Sequence, residues 1–366
     1  MLNIAIRADS SHIIGTGHIM RCLTLAHALK KRCHANIYFF TRKNKGNINN
    51  LIVNSGFNLV EMQVPVAVNN LPLEHSTWLG ATQEQDALEF LQLSQTLAID
   101  FFDYLIIDHY AIDKTWQKQV NQQTQKMLII DDLGDRVHQC DYLLDQTYHC
   151  PAEKYTKLVP KQCVLMLGTK FALLRDEFKS VNNIHRSKTQ NTILVMFGGA
   201  DANNLTLKTL HLLHKRTDLN KINIILNSSA LHIETVKTFI DSQTADHFQN
   251  IKLHINPANI ALLMQKSSLA IGAAGTTSWE RCASGLPSVV VIQAENQRQI
   301  ALELQQLKVI TCLEEVEMTV HLNKHIDQWI KNEENYQYAV QQATKICDGL
   351  GSERVVKKIL VASINK

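Results

Sequence analysis

The sequence predicts an α/β protein built as two doubly wound, parallel-sheet domains facing a cleft. Three observations carry this. Short, continuous apolar runs alternate with amphipathic helical stretches, the pattern of strands covered on both faces and joined by right-handed crossovers. The alternation runs through the first half of the chain and starts again after a polar stretch at Lys179–Asn191. The chain has 366 residues, the length of two domains, and 45% of them are hydrophobic. That content, with only 14 Gly and 6 Pro, excludes a disordered or collagen-like chain.

The first domain, expected over residues 1–180, opens on an apolar strand at Asn3–Arg7. His18–Lys31 follows as a helix, with Ile19, Cys22, Leu23, Leu25, Ala26 and Leu29 on one broad face. Its last residues, with Arg32, are cationic, which the helix dipole favours. Further strands are predicted at Asn36–Thr41, Phe57–Met62, Tyr104–Asp108 and Met127–Asp131, and helices at Gln83–Ile99 and Asp113–Lys126. The second domain, expected over 190–366, repeats the alternation. Its strands are Thr192–Phe197, Ile222–Leu226, Ile251–His254, Leu269–Ile271 and Ser288–Ile292. Helices are predicted at Leu205–Lys215, Leu231–Ser242, Asn259–Lys266, Thr277–Ser284 and Glu295–Leu307, with three more at Thr319–Lys331, Glu334–Asp348 and Ser352–Ile364. In such folds ligands bind at the carboxyl ends of the strands, so the expected substrate lies in the cleft.

Several classes are excluded. No apolar run approaches the roughly 18 residues of a membrane span. Leu2–Ile6 is too short for a signal peptide and is followed at once by Arg7 and Asp9, so a cytoplasmic protein is expected. The eight cysteines form no C-x-x-C pair and are expected to be thiols. A net charge of +3 is too small to imply a nucleic-acid partner.

Six segments carry candidate chemistry. Arg7–His18 follows the first strand and holds Asp9, Gly15, Gly17 and His18. Glycines there let the backbone approach an anion at a helix start. Met20 stands where a dinucleotide fingerprint has its third glycine, and Thr41-Arg42 ends the second strand without a ribose-binding acid, which disfavours NAD. His18 is placed to take a proton from water, since imidazole titrates near neutrality; a locally bonded histidine at a helix start is the alternative. Asp108-His109-Tyr110 ends an apolar strand abruptly, either as a substrate rim or as a strand cap. Asp131-Asp132-Leu133-Gly134-Asp135 reads as an Asx-type turn in preference to a cation site. Phe197-Gly198-Gly199 repeats the strand–glycine–helix logic in the second domain. Gly275, Thr276 and Thr277 make a Gly-rich turn whose N–H and hydroxyl groups suit a diphosphate without a metal, with Glu280 one turn on for ribose hydroxyls. Glu280 is equally a carboxylate favoured near a helix start. Asn296 follows the Ser288–Ile292 strand, as a ligand contact or a helix cap.

These residues resemble a known family. The whole chain resembles the GT-B glycosyltransferase architecture of two Rossmann-like domains, and the Gly-x-Gly-His start and the turn leading to Glu280 look like those of MurG-type transferases. The segments RADSSHIIGTGHIMRCLTLA, LIIDHY, DDLGDRVHQCDYLLDQ, GTKFALLRDEF, FGGADANN and AAGTTSWERCASGLPSVVV are similar to the PseG family, the UDP-2,4-diacetamido-2,4,6-trideoxy-β-L-altropyranose hydrolases of pseudaminic acid biosynthesis. The resemblance implies hydrolysis of a UDP-sugar at its anomeric carbon with inversion, needing no metal and no cofactor. By position it implies His18 as the base that activates water, Tyr110 at the sugar, Glu280 on the ribose and Asn296 as a ligand contact. Asp9, Gly15, Gly17, Gly199, Gly275, Thr276 and Thr277 complete the expected substrate site. The expected partner is the small-molecule UDP-sugar alone, bound by a monomer. A glycosyltransferase on the same fold and a non-catalytic nucleotide-sugar binding module are the alternatives.

Overall fold

A computed structural model describes residues 1–63, 73–99, 101–181, 191–198, 201–228, 230–243 and 250–364. It divides into two compact units. The first is Met1–Leu173 together with Gly351–Lys366, and the second is Leu174–Leu350. The expected boundaries of 1–180 and 190–366 are thereby corrected at both ends. The stretch expected to separate the domains falls mostly on 182–190, outside the described residues.

The first unit holds strands β1 (Leu2–Ala8), β2 (Ala35–Arg42), β3 (Asn58–Met62), β4 (Phe102–Asp108), β5 (Thr124–Ile130), β6 (Tyr142–Asp145) and β7 (Val164–Leu167). Its helices are α1 (Gly17–Arg32), α2 (Asn49–Asn54), α3 (Gln83–Thr96) and α4 (Lys114–Val120). The strands form one parallel sheet in the order β3-β2-β1-β4-β5-β6-β7. Alternate residues serve its two faces. Ile4, Ile6, Phe39, Tyr104, Ile106, Leu128 and Ile130 pack with α1. Ala5, Phe40, Leu105, Ile107 and Ile129 pack with Phe90 of α3 and Trp116 of α4.

The helix expected at Asp113–Lys126 is shorter. Asp113 caps it by accepting from Thr115 N at 2.6 Å, and it ends at Val120. Thr124 then pairs with Phe102 of β4, so sheet pairing overrides the helical reading of the Gln- and Lys-rich stretch.

The second unit contains β8 (Thr192–Met196), α5 (Leu205–Leu213), β9 (Lys221–Leu226), α6 (Ile233–Asp241), β10 (Asn250–Ile255), α7 (Ile260–Gln265) and β11 (Leu269–Ala273). It continues with α8 (Thr277–Ala283), β12 (Ser288–Ile292), α9 (Glu295–Gln306), β13 (Ile310–Glu314), α10 (Met318–Lys331) and α11 (Glu333–Ile346). The parallel order is β10-β9-β8-β11-β12-β13.

The last helix, α12 (Gly351–Ile364), belongs to the first unit. Its Val355, Val356 and Ile359 are buried in the cluster that α1 shares with the first sheet, and Tyr104 Oη donates to Ile359 O at 2.8 Å. A Cβ on Gly351 would stand 2.2 Å from Ala172 O, so only glycine lets the chain re-enter here.

Each sheet has a switch point, where the chain order reverses: between β1 and β4 in the first, between β8 and β11 in the second. Open α/β sheets bind ligands at the carboxyl ends of such strands. Among the described residues no helix is long and apolar enough to cross a membrane.

Candidate active site

In the first unit, charge collects at the carboxyl edge of the sheet. Asp9, just past β1, is fully buried. It accepts from Arg7 Nη2 at 2.9 Å and from the Arg42 backbone at 2.7 Å, and His109 Nε2 lies 3.2 Å away. Asp86 of α3 in turn holds Arg7 and Arg42. Asp9 therefore anchors the turn above it, both of its oxygens engaged by protein donors. His109 Nδ1 accepts from Ala111 N at 3.1 Å, so a neutral ring carries its proton on Nε2, toward Asp9. Burial keeps that imidazole below its usual range.

The turn itself is closed by Ser11, whose Oγ accepts from Ile13 N and Ile14 N. Gly15 supplies the left-handed residue, φ +78°. Gly17 opens α1 and His18 follows. His18 Nδ1 lies 2.6 Å from Oδ1 of Asp108, the last residue of β4, so the β1/β4 switch point brings them together. The remaining lone pairs of Asp108 take Arg21 Nε at 2.5 Å and Arg21 Nη2 at 2.6 Å. Burial pushes the Asp108 carboxyl up; the Arg21 and His18 charges outweigh it and hold the group below the ordinary carboxylate range. A permanent carboxylate on Nδ1–H leaves the lone pair on Nε2, the tautomer a general base requires.

Tyr110 packs edge-on to His18, ring centroids 4.7 Å apart. Its hydroxyl donates to Asp132, which also accepts from Arg21 Nη1 at 3.1 Å. With its hydroxyl engaged, Tyr110 turns its ring to His18. Trp78 and His75, from the turn at Ser76–Leu79 and the residue before it, extend this aromatic surface: Trp78 stands 6.3 Å from His18 and 5.7 Å from Tyr110. Asp131 accepts from Gly134 N at 3.0 Å and pairs with Arg136 at 2.8 Å, the turn that the spacing suggested.

In the second unit, the turn after β11 places Gly275, Thr276 and Thr277 half-exposed at the β8/β11 switch point, with Gly198 (φ +90°) past the end of β8. Glu280 Oε1 accepts from Arg175 Nη2 at 3.1 Å, while Oε2 is buried without a partner. A carboxylate oxygen in that state suits a hydroxyl donor. Gly199 and the Asn296 side chain lie outside the described residues; Asn296 itself is in the first turn of α9.

Gly17 and Gly275 share one property. Their backbone angles are ordinary, and a Cβ on either would meet nothing within 4 Å. The fold does not require glycine there, whereas a ligand lying against the backbone would.

Asp108 is readable from sequence as a substrate rim or a strand cap, and Arg21 only as a helix residue. Their role needed the spacing His18–Arg21, one turn apart, combined with the strand order that sets β4 beside β1. Trp78 and His75 sit in a turn without a motif and gave no signal.

Comparison with known proteins bears on the fold and on the family that the chain resembles. The model of the glycosyltransferase family 28 C-terminal domain matches residues 192–354. An uncharacterized protein of Methanocaldococcus jannaschii is 28% identical over 305 residues, 81% of this chain, which spans only 57% of that protein's length. The UDP-2,4-diacetamido-2,4,6-trideoxy-β-L-altropyranose hydrolase of Campylobacter jejuni is 28% identical over 275 residues, covering 75% of this chain and 86% of the relative. The crystal structure of Acinetobacter baumannii MurG superposes with a TM-score of 0.63 at 14% identity, covering 99% of this chain and 100% of that one. Two Rossmann-like domains, with sheets of seven and six parallel strands, give this chain the fold of the GT-B glycosyltransferases.

Proposed function

We propose that the protein hydrolyses a UDP-sugar, UDP-2,4-diacetamido-2,4,6-trideoxy-β-L-altropyranose, in pseudaminic acid biosynthesis. The observation that carries this reading is His18, oriented by a buried, charge-stabilised Asp108 at the switch point of the first sheet. Water loses a proton to His18 Nε2 as its oxygen bonds to the anomeric carbon. The bond from that carbon to the diphosphate oxygen breaks with its electron pair, and UDP leaves. Attack opposite the leaving group inverts the centre and frees 2,4-diacetamido-2,4,6-trideoxy-L-altrose. Asp108 stabilises the imidazolium formed. In the second unit, Glu280 Oε2 accepts a ribose hydroxyl, and the Gly275–Thr277 turn meets the diphosphate. The similarity to the Campylobacter hydrolase supports the substrate.

The match to a glycosyltransferase domain favours one second reading, transfer of the sugar to an acceptor. Proton NMR of the protein with the UDP-sugar and no acceptor separates the two. Release of UDP and an inverted free sugar supports the hydrolase, and UDP release only with an acceptor supports the transferase. His18→Ala is expected to lower kcat roughly 10²–10⁴-fold while UDP still binds; a near-native rate removes His18 from the mechanism.

A further inference from the structure

Five arginines are buried among the described residues: Arg7, Arg21, Arg42, Arg136 and Arg281. The first four are each paired with two carboxylates. Arg281 differs. It is 3% exposed, yet among the described residues no carboxylate lies within ion-pair distance. Its Nη2 donates to two neutral oxygens, Ala273 O at 2.8 Å and Ser278 Oγ at 3.0 Å, and its Nε has no partner. The neighbouring Glu280 carboxylate is taken by Arg175. Burial outweighs the nearby negative charge of Glu280, which forms no ion pair with it, and holds the guanidinium down, to about 10.

Its position is specific. A Cβ on Gly272 would stand 2.1 Å from Met196 O and 2.9 Å from Arg281 Nη1. The guanidinium thus lies against the last residues of β11, where they run beside the end of β8, beneath the turn that carries Gly275. A buried charge without a partner is costly, and one retained at a switch point implies an anion that completes it.

We propose that Arg281 is the fixed counter-charge of an anion site at the carboxyl ends of β8 and β11, and that this site takes the diphosphate of the nucleotide. The assignment of a nucleotide rests on the function proposed above; the anion site rests on Arg281. The hydrogen bonds to Ala273 O and Ser278 Oγ fix the guanidinium beneath the turn, where it meets the charge of the diphosphate from below.

The test uses the full-length protein with UDP, uridine and inorganic pyrophosphate, each titrated by calorimetry and scored by the rise in Tm. Arg281→Met is expected to weaken UDP and pyrophosphate about 30-fold or more, leave uridine within about twofold, and not lower the Tm of the ligand-free protein. Native UDP affinity in this variant overturns the proposal and leaves the nucleotide reading intact. A lowered Tm with equal losses for UDP and uridine makes Arg281 a structural pin and also overturns it. Wild-type protein that responds to pyrophosphate but not to UDP supports the anion site and removes the nucleotide reading; a response to neither removes the site. If the Met variant does not fold, Arg281→Lys carries the test. It loses more affinity for UDP than for uridine if the inference holds, and equal amounts if it does not.

Discussion

Gly17 and Gly275 have ordinary φ and no neighbour where a side chain would begin, whereas Gly15 is held by its φ of +78°. Alanine separates the two kinds. Gly15→Ala is expected to cost about 1–2 kcal/mol, the penalty of an L-residue in the left-handed region. Gly17→Ala and Gly275→Ala should leave stability within about 0.5 kcal/mol of wild type or raise it. On the function proposed above, both should nonetheless weaken substrate or UDP binding at least about tenfold, because the new methyl would stand in the open space that the ligand fills. Denaturant unfolding and UDP titration of the three variants check this; full binding by both Gly17→Ala and Gly275→Ala would show that no ligand approaches there. Asp108 gives the sharper residue-level outcome. Asp108→Asn offers His18 an amide and lets the ring adopt the wrong tautomer, so kcat should fall roughly 10²–10⁴-fold with little change in KM. The same change leaves Arg21 with Asp132 as its carboxylate, so a stability loss of about 3 kcal/mol is expected as well. Turnover measured well below the variant's Tm keeps the two effects apart.

At the scale of elements, α12 is the piece whose removal should act farthest along the chain. Ile359→Ala is expected to destabilise by about 2–4 kcal/mol through the cavity it leaves. Truncation after Leu350 removes the cover from Tyr104 and from α1, and hydrogen exchange should rise in β1, α1 and β4 while the strands of the second unit stay protected. Equal loosening of both units would contradict the assignment of α12 to the first. That assignment could not be read from sequence. The apolar stripe of Val355, Val356 and Ile359 announces a helix that must be covered, but not which sheet covers it. The strands β6 and β7 escaped for another reason: each has four residues, and they pair at the sheet's far end between turns, so neither is long enough to show a period. By contrast the long apolar strands and α1 were legible, with ends shifted by up to three residues, because burial on both faces writes continuous apolar runs. The candidate site was legible in part. His18 and the Gly275 turn announce themselves by a change of chemistry at a strand end. The pairing of His18 with Asp108 joins residues ninety positions apart and depends on strand order, which no local pattern encodes.

Over the whole molecule, buried acid groups are distributed unevenly, and this sets how the protein meets low pH. Asp9, Asp86, Asp108, Asp131 and Asp145 are all fully buried and all in the first unit. Burial pushes each carboxyl up. Arg7 with His109, Arg7 with Arg42, Arg21 with His18, His138 with Arg136, and Lys154 with Thr147 respectively outweigh it, so each is held below the usual range. A carboxyl lowered by folding takes up protons more readily in the unfolded chain. Its stabilisation is complete above about pH 4 and is lost as pH falls through the folded value. His109 acts with the same sign at higher pH: burial lowers it, so unfolding favours its protonation once pH drops below about 6.5. In the second unit the lowered carboxyls among the described residues, Asp218 and Glu315, are exposed and half-exposed, where solvent screens them, and Glu177 is raised by burial. The first unit should therefore begin to lose stability below about pH 6.5, lose it steeply below about pH 4, and open before the second. Hydrogen exchange read by mass spectrometry across pH 7 to 3 resolves the two units. His109→Gln, which keeps a donor toward Asp9 without a titrating ring, should shrink the early step to what His27, also lowered by burial, contributes, and leave the steep one. Opening of the second unit first, or of both at one pH, would mean that the buried ion pairs of the first sheet do not govern its acid stability.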